Sequence, residues 1–202
     1  AFAEDDSVER ARVLYLRGRD YGLRILNQNA KFAAAFSKTE DELRAALNSF
    51  DKDAVPALFW TALSWGSYIN ISRSETEALA DLGKVNAIMA RSHELDSSYY
   101  YGGADMFFGA TEASTPASLG GKPEKAKAHF EKALAATGGK FLMVYIYYAQ
   151  TYCVGTLNQE LFRQLLHTVD EASIDILPEA RLANAVAKKK ARILKSKEAD
   201  LF

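Results

Sequence analysis

Cysteine is nearly absent from this sequence: Cys153 stands alone among 202 residues. No internal disulfide can form, so the usual sign of an oxidising compartment is missing, although a cysteine-poor secreted protein would look the same. A charge of one sign is also lacking. Lys plus Arg number 25 against 26 Asp plus Glu, for a net charge of -1, which gives no long-range attraction to nucleic acid or to an anionic membrane. The longest strongly apolar runs, Val55 to Leu63 and Phe141 to Ala149, fall well short of the roughly 20 residues that span a bilayer, and a soluble chain is expected. The chain opens Ala1-Phe2-Ala3-Glu4-Asp5-Asp6, with neither the basic start nor the apolar stretch of a signal peptide, so any such segment is expected to have been removed. No β-branched alternation requires a strand.

What is present is ordinary globular composition, 49% hydrophobic and 25% charged, arranged with helical periodicity. From Ser7 to Asn29, Val8, Ala11, Tyr15, Gly18, Leu23 and Leu26 make one broad stripe, with Arg10, Arg17, Arg19 and Arg24 largely outside it. Thr39-Glu40-Asp41-Glu42 reads as a capping box that opens a helix to about Phe50. Asp53 is a plausible N-cap for a third helix, reaching Ile71, that is rich in large side chains and has little polar face. Ser74-Glu75-Thr76-Glu77 reads as a second capping box, opening a helix to Asp96. A fifth helix, begun near Ser97, gives way to a loop at Thr115 to Gly121, and Pro123 sits where the next helix begins. Further helices are expected from Lys122 to Ala136, Lys140 to Val154, Asn158 to Glu171 and Pro178 to Lys197.

The helices carry a repeated pattern. Ala126, Phe130 and Ala133 are spaced by four and three, matching the small-large-small signature of the second helix of a tetratricopeptide hairpin, in which the large residue plugs between small ones. Thr39, Leu43 and Ala46 repeat the spacing, as do Val85, Met89 and Ser92, and then Asn158, Phe162 and Leu165. The first-helix signature is poorer: Gly18 and Tyr21 supply its G-x2-Y element and Phe108-Gly109 its L-G-like pair. These spacings predict an all-α fold, a single domain over 1–202 of about four unequal hairpins stacked as a short solenoid, with a C-terminal capping helix and a concave face formed mainly by first helices.

Catalytic signatures are missing. His93, His129 and His167 fall on three different predicted helices with no Cys or carboxylate at metal spacing, and H-E-x-x-H is absent although His93-Glu94 begins it. Gly121-Lys122 and Gly139-Lys140 lack the Ser or Thr and the preceding strand of a phosphate loop. No G-x-S-x-G occurs, and Cys153 reads as a small buried hydrophobe. No enzyme activity, metal or cofactor is expected. Lys188, Lys189, Lys190, Arg192, Lys195 and Lys197 end the last helix, where cations complement its dipole, and nucleic-acid binding is not expected. Aromatic content on the first helices, by contrast, exceeds what a narrow seam can bury, so part of it is expected to line a groove or an oligomer interface.

Several segments resemble one family: Leu14-Tyr15-Leu16-Arg17-Gly18-Arg19-Asp20-Tyr21-Gly22, Ala57-Leu58-Phe59-Trp60-Thr61-Ala62-Leu63-Ser64-Trp65-Gly66, Tyr99-Tyr100-Tyr101-Gly102-Gly103, Leu182-Ala183-Asn184-Ala185-Val186-Ala187 and the terminal Asp200-Leu201-Phe202. Together they are similar to the T-component (TatT) family of tripartite ATP-independent periplasmic (TRAP) transporters. The loop Leu119-Gly120-Gly121-Lys122-Pro123 fits it too, while Ser97 departs from the turn former usual there. The resemblance implies a tetratricopeptide-like periplasmic lipoprotein whose lipid-bearing cysteine lies upstream of Ala1. It also implies a homotrimer that associates with a periplasmic substrate-binding P-component, and a cleft and pore for a small ligand, with hydrophobic molecules the usual suggestion. No catalytic residue comes with it.

On this reading Trp60, Trp65, Tyr68, Asn70, Tyr100, Tyr101, Phe107, Tyr145 and Tyr148 are the groove or pore candidates, and Arg17 and Asn184 the buried polar anchors. The alternative is a tetratricopeptide peptide-binding adaptor, which would place Lys, Arg and Asn along its groove to clamp a chain or its carboxylate.

Overall fold

The computed structural model describes residues 7–115 and 121–202; the acidic start and the 116–120 part of the predicted loop lie outside the described residues. The described chain is all-α, with no strand among these residues. It divides into two compact units, 1–99 and 100–202, which are taken one at a time.

In the first unit, helix α1 (Val8–Leu26) starts where the Ser7 hydroxyl accepts the Arg10 N–H at 3.3 Å. The short α2 (Ala30–Ala35) is capped by Asn29, whose Oδ1 takes the N–H groups of Lys31 and Phe32. α3 (Glu40–Leu47) has the predicted capping box, with Thr39 Oγ1 accepting from the Glu42 N–H and the Glu42 carboxylate accepting from the Thr39 N–H. The Thr39 hydroxyl, which donates to Glu42 Oε2 at 2.9 Å, and then the Thr39 N–H hold the Glu42 carboxyl below its ordinary range. A carboxylate so lowered stabilises the fold above the usual glutamate range, and that contribution is lost as the pH falls through the folded value. Thr39→Ala is therefore expected to cost about 1 kcal/mol at neutral pH and less at pH about 3, which thermal unfolding followed by circular dichroism at the two pH values measures.

A 3-10 turn, Lys52–Ala54, leads into α4 (Val55–Ile71). Asp51 caps this turn by accepting from the Asp53 N–H, whereas α4 itself has Ala54 at its N-cap, without a side-chain cap bond, so the N-cap expected at Asp53 does not form. The capping box expected at Ser74 does not form either. Glu75 occupies the N-cap of α5 (Thr76–Ala80) without a side-chain cap bond, because its carboxylate is drawn away to Arg12 and Tyr68. A break at Asp81 then separates α5 from α6 (Leu82–Leu95). α4 packs on α1 and α6, and α3 packs on α2 and α6. The core holds Phe32, Leu58, Phe59, Ile88 and Met89, all fully buried.

α1 and α4 approach closely because α1 offers glycines. A Cβ at Gly18 would lie 2.7 Å from Ser64 Oγ, and one at Gly22 would overlap the Thr61 hydroxyl. Thr61 is itself fully buried, its hydroxyl spent on the Ala57 carbonyl at 2.6 Å.

The second unit begins with a left-handed turn. Within α7 (Tyr99–Ser114), Tyr100, Tyr101 and Gly102 have φ of 48°, 63° and 74°. This conformation costs a residue with a Cβ roughly 1–2 kcal/mol, offset here by ring packing on Phe141 at 5.8 Å from Tyr100 and 4.8 Å from Tyr101. At the third position glycine is needed twice over, since a Cβ on Gly102 would also sit 2.9 Å from the Ala136 Cβ.

α8 (Pro123–Thr137) ends in left-handed Gly138 and Gly139, with the Gly139 N–H bonded to the Leu134 carbonyl at 2.8 Å. This is the usual way to satisfy last-turn carbonyls. The helix expected from Lys140 to Val154 is α9 (Met143–Tyr147) widening into a π-turn over Tyr148–Cys153. α10 (Gln159–Glu171) is capped by Asn158. Two 3-10 turns then lead to α11 (Arg181–Ser196) and the one-turn α12 (Glu198–Leu201).

Ala126, Phe130 and Ala133 are all fully buried, as the small-large-small spacing requires, and Val85, Met89 and Ser92 are interior too. In the other two matches the leading residue, Thr39 or Asn158, is an N-cap, and the residues that follow it are the buried ones. The basic run on α11 serves structure. Lys188 Nζ donates to the Asp170 carbonyl at 2.7 Å, Lys195 pairs with the Asp170 carboxylate, and Lys190 is buried.

Candidate functional site

Aromatic residues dominate both units, and their environments sort them. In the first unit Trp60 is 41% exposed, and its Nε1 donates to the Tyr99 hydroxyl at 3.2 Å. Both rings meet Phe59 edge-on at 5.2 Å. Trp65, one turn on, is core: it lies 6.0 Å from the Phe36 ring with the Arg19 guanidinium 5.5 Å from its centroid.

Tyr68 is half-buried in a polar triad missed at the sequence level. The Arg12 guanidinium lies 5.7 Å from its ring, and its hydroxyl donates to Glu75 Oε2 at 3.4 Å. Arg12 and Glu75 close the triangle with a 2.5 Å ion pair, and that hydrogen bond raises the Arg12 guanidinium above its ordinary value. Arg12 and Glu75 are 63 residues apart in sequence, so no local spacing could reveal the pair. Asn70 is exposed and accepts from Arg73 Nη2 at 2.6 Å.

In the second unit Tyr100 and Tyr101 are half-buried, their rings 5.3 Å apart. Phe107 is buried against Phe108. Tyr145 is half-buried beside Gly139, and burial pushes its phenol up from the ordinary value. Tyr148 is core, stacked on Phe130 at 4.7 Å and 14°, and its phenol is raised still further by the same cause. Trp65, Phe107 and Tyr148 thus pack the interior. Trp60, Tyr68, Asn70, Tyr100, Tyr101 and Tyr145 keep surface that another molecule can reach.

The polar anchors divide as well. Asn184 is fully buried, with its Oδ1 accepting the Leu142 N–H at 2.9 Å and its Nδ2 donating to the Lys140 carbonyl at 3.1 Å. Arg17, expected to be buried, is exposed: it lies on the face of α1 opposite Ala11, Gly22 and Leu26, which are the residues turned to the interior. The helical phase already set Arg17 outside the apolar stripe of α1, and the structure keeps it there.

A second missed pair joins α7 to α8. Asp105, 5% exposed among Ala104, Met106 and Phe107, holds His129 Nδ1 at 2.7 Å, and the Phe108 ring lies 5.5 Å from the imidazole. A carboxylate inside an otherwise apolar helical stretch was the available signal. Among the described residues no cluster of three His, Cys, Asp or Glu side chains could hold a metal ion. Burial pushes the Cys153 thiol up to about 12, which keeps it protonated and a poor nucleophile at neutral pH.

The family model for the TRAP transporter T-component matches residues 1–202, the whole chain. The protein belongs to this family. The chain is also 25% identical over 202 residues to an uncharacterized protein of Treponema pallidum (strain Nichols), covering 99% of this chain and 62% of that relative's length. Among the described residues of this T-component no helix is long and apolar enough to cross a membrane.

Proposed function

We propose that the protein is a T-component that docks the periplasmic substrate-binding P-component of its transporter and handles a small, hydrophobic ligand. It works as a homotrimer held at the membrane by an N-terminal lipid, and its helical pairs stack as tetratricopeptide-like hairpins. The observation that carries this reading is the family match across the chain. The ligand half draws support from the reachable aromatics within each unit, Trp60 and Tyr68 in the first and Tyr100, Tyr101 and Tyr145 in the second, which offer apolar ring surface with a polar tip, a chemistry suited to organic molecules. Tyr100 and Tyr101 add a second indication, since backbone held in the left-handed region clusters at ligand-binding positions.

The test is co-purification of the full-length protein with the substrate-binding protein of the same transporter, followed by native mass spectrometry. A complex formed at micromolar concentration, with trimeric stoichiometry and a retained small molecule, is expected. Failure of the two to associate at such concentrations sinks the docking half, and an empty protein that ignores hydrophobic probes sinks the ligand half.

A further inference from the structure

The outer face of α1 is chemically unlike a solvated helix surface. Leu14, Tyr21 and Ile25 are 45%, 55% and 55% exposed. They share one face, because positions 14, 21 and 25 fall within a narrow arc at 100° per residue. Along the same face Arg10, Arg17 and Arg24 recur every seven residues, all exposed. The Arg24 guanidinium lies over the Tyr21 ring, 4.3 Å from its centroid. Single exposed apolar residues are ordinary, but a row of them bordered by arginines is the composition of a recognition patch.

We infer that this face is where the protein docks its partner protein, and that the partner presents an apolar groove rimmed by Asp and Glu. The assignment rests on the docking function proposed above and names its surface. Charge selects the occupant. Three cations on one helix face outnumber the acid beside them, Asp20, whose carboxylate is already paired with Arg19; they call for carboxylates opposite, and Arg forks match carboxylates in geometry as well as charge. A second copy meeting the first through this same face about a two-fold would set Arg17 against Arg17 and Arg10 against Arg24, a like-charge arrangement that disfavours pairing, while a trimer contact, which joins two different faces, is the outcome that sedimentation reads below. The tyrosine and the arginines are also the residue types in which binding energy concentrates. Nucleic acid, the other polyanion, fits poorly, because apolar side chains alternate with the cations where phosphates would need an unbroken basic track.

The experiment titrates the purified substrate-binding protein of the same transporter into the full-length T-component by calorimetry. The variants are Arg17→Glu/Arg24→Glu and Leu14→Ser/Ile25→Ser, with circular dichroism to verify that these exposed changes leave the helices intact. Each pair is expected to weaken binding by about tenfold or more, and raising salt from about 50 to about 300 mM to weaken the wild type but not the charge-reversed variant. Wild-type binding that both pairs leave unchanged overturns this surface and spares the proposed function, whereas a wild type that does not bind overturns both. Variants that bind the partner normally but change sedimentation of the T-component alone show the face to be a self-association surface, which also overturns the inference.

Discussion

Gly22→Ala is expected to destabilise the protein by about 2 kcal/mol. Alanine in place of a helical glycine would by itself gain about 1 kcal/mol, so the steric loss must reach about 3 kcal/mol, the upper end of the range for overfilling a packed interior. The size follows from what the new methyl group meets. It would overlap Thr61 Oγ1 and sit 2.9 Å from the Thr61 Cβ and 3.2 Å from its Cα. Rotating the hydroxyl away gives up its bond to the Ala57 carbonyl and still leaves the Cβ, so relief requires the two backbones to part. Gly18→Ala is the matched control: its Cβ would lie 2.7 Å from the Ser64 Oγ and 3.2 Å from the Ser64 Cβ but meet no backbone, and the propensity gain should roughly cancel the contact. Urea unfolding of the two variants checks the contrast. Equal midpoints would mean that α1 is free to withdraw from α4 and that the glycines set no spacing.

Asn184→Ala is expected to cost about 3 kcal/mol. The side chain is fully buried and bridges two backbone groups just before α9, the Lys140 carbonyl and the Leu142 N–H. Truncation leaves both without a partner, at about 1–3 kcal/mol for each buried unsatisfied group. Asn184→Asp retains an acceptor for the Leu142 N–H but offers the Lys140 carbonyl no donor and buries a carboxylate, so it should be no milder at neutral pH. The readout is again the unfolding midpoint, supplemented by hydrogen exchange at Leu142. Continued protection of that amide in the alanine variant would show that another group takes over the bridge.

How far the sequence could be read depended on the range of the interaction. The Thr39 capping box was visible because all its atoms lie within four residues, and the buried Ala126, Phe130 and Ala133 because helical phase alone decides them. The Ser74 box failed on a long-range competitor, Arg12, which no local pattern contains. α2 was passed over because six residues of mostly alanine carry no periodicity to detect. Nothing in a run of tyrosines announces a left-handed turn either; aromatic residues ordinarily favour extended backbone, and only the packing of both rings on Phe141 makes the turn tenable. Among the candidate site residues, aromatic identity was a fair guide to where rings gather and a poor one to which are sealed inside. Trp65 and Tyr148 differ from Trp60 and Tyr145 in neighbours supplied by other helices, not in type. Arg17 was misplaced although its helical phase, outside the apolar stripe of α1, was readable.

The turn at Tyr100–Gly102 also bears on chirality. Along these residues the backbone follows the mirror image of the path that L-amino acids favour. For this brief stretch the stereochemistry of the building block works against the fold, and position 101 is one at which the enantiomer of the encoded tyrosine would have the more comfortable backbone. The ribosome supplies only one hand, so the chain meets the requirement with a residue that has no hand at position 102 and with aromatic packing at the two positions before it.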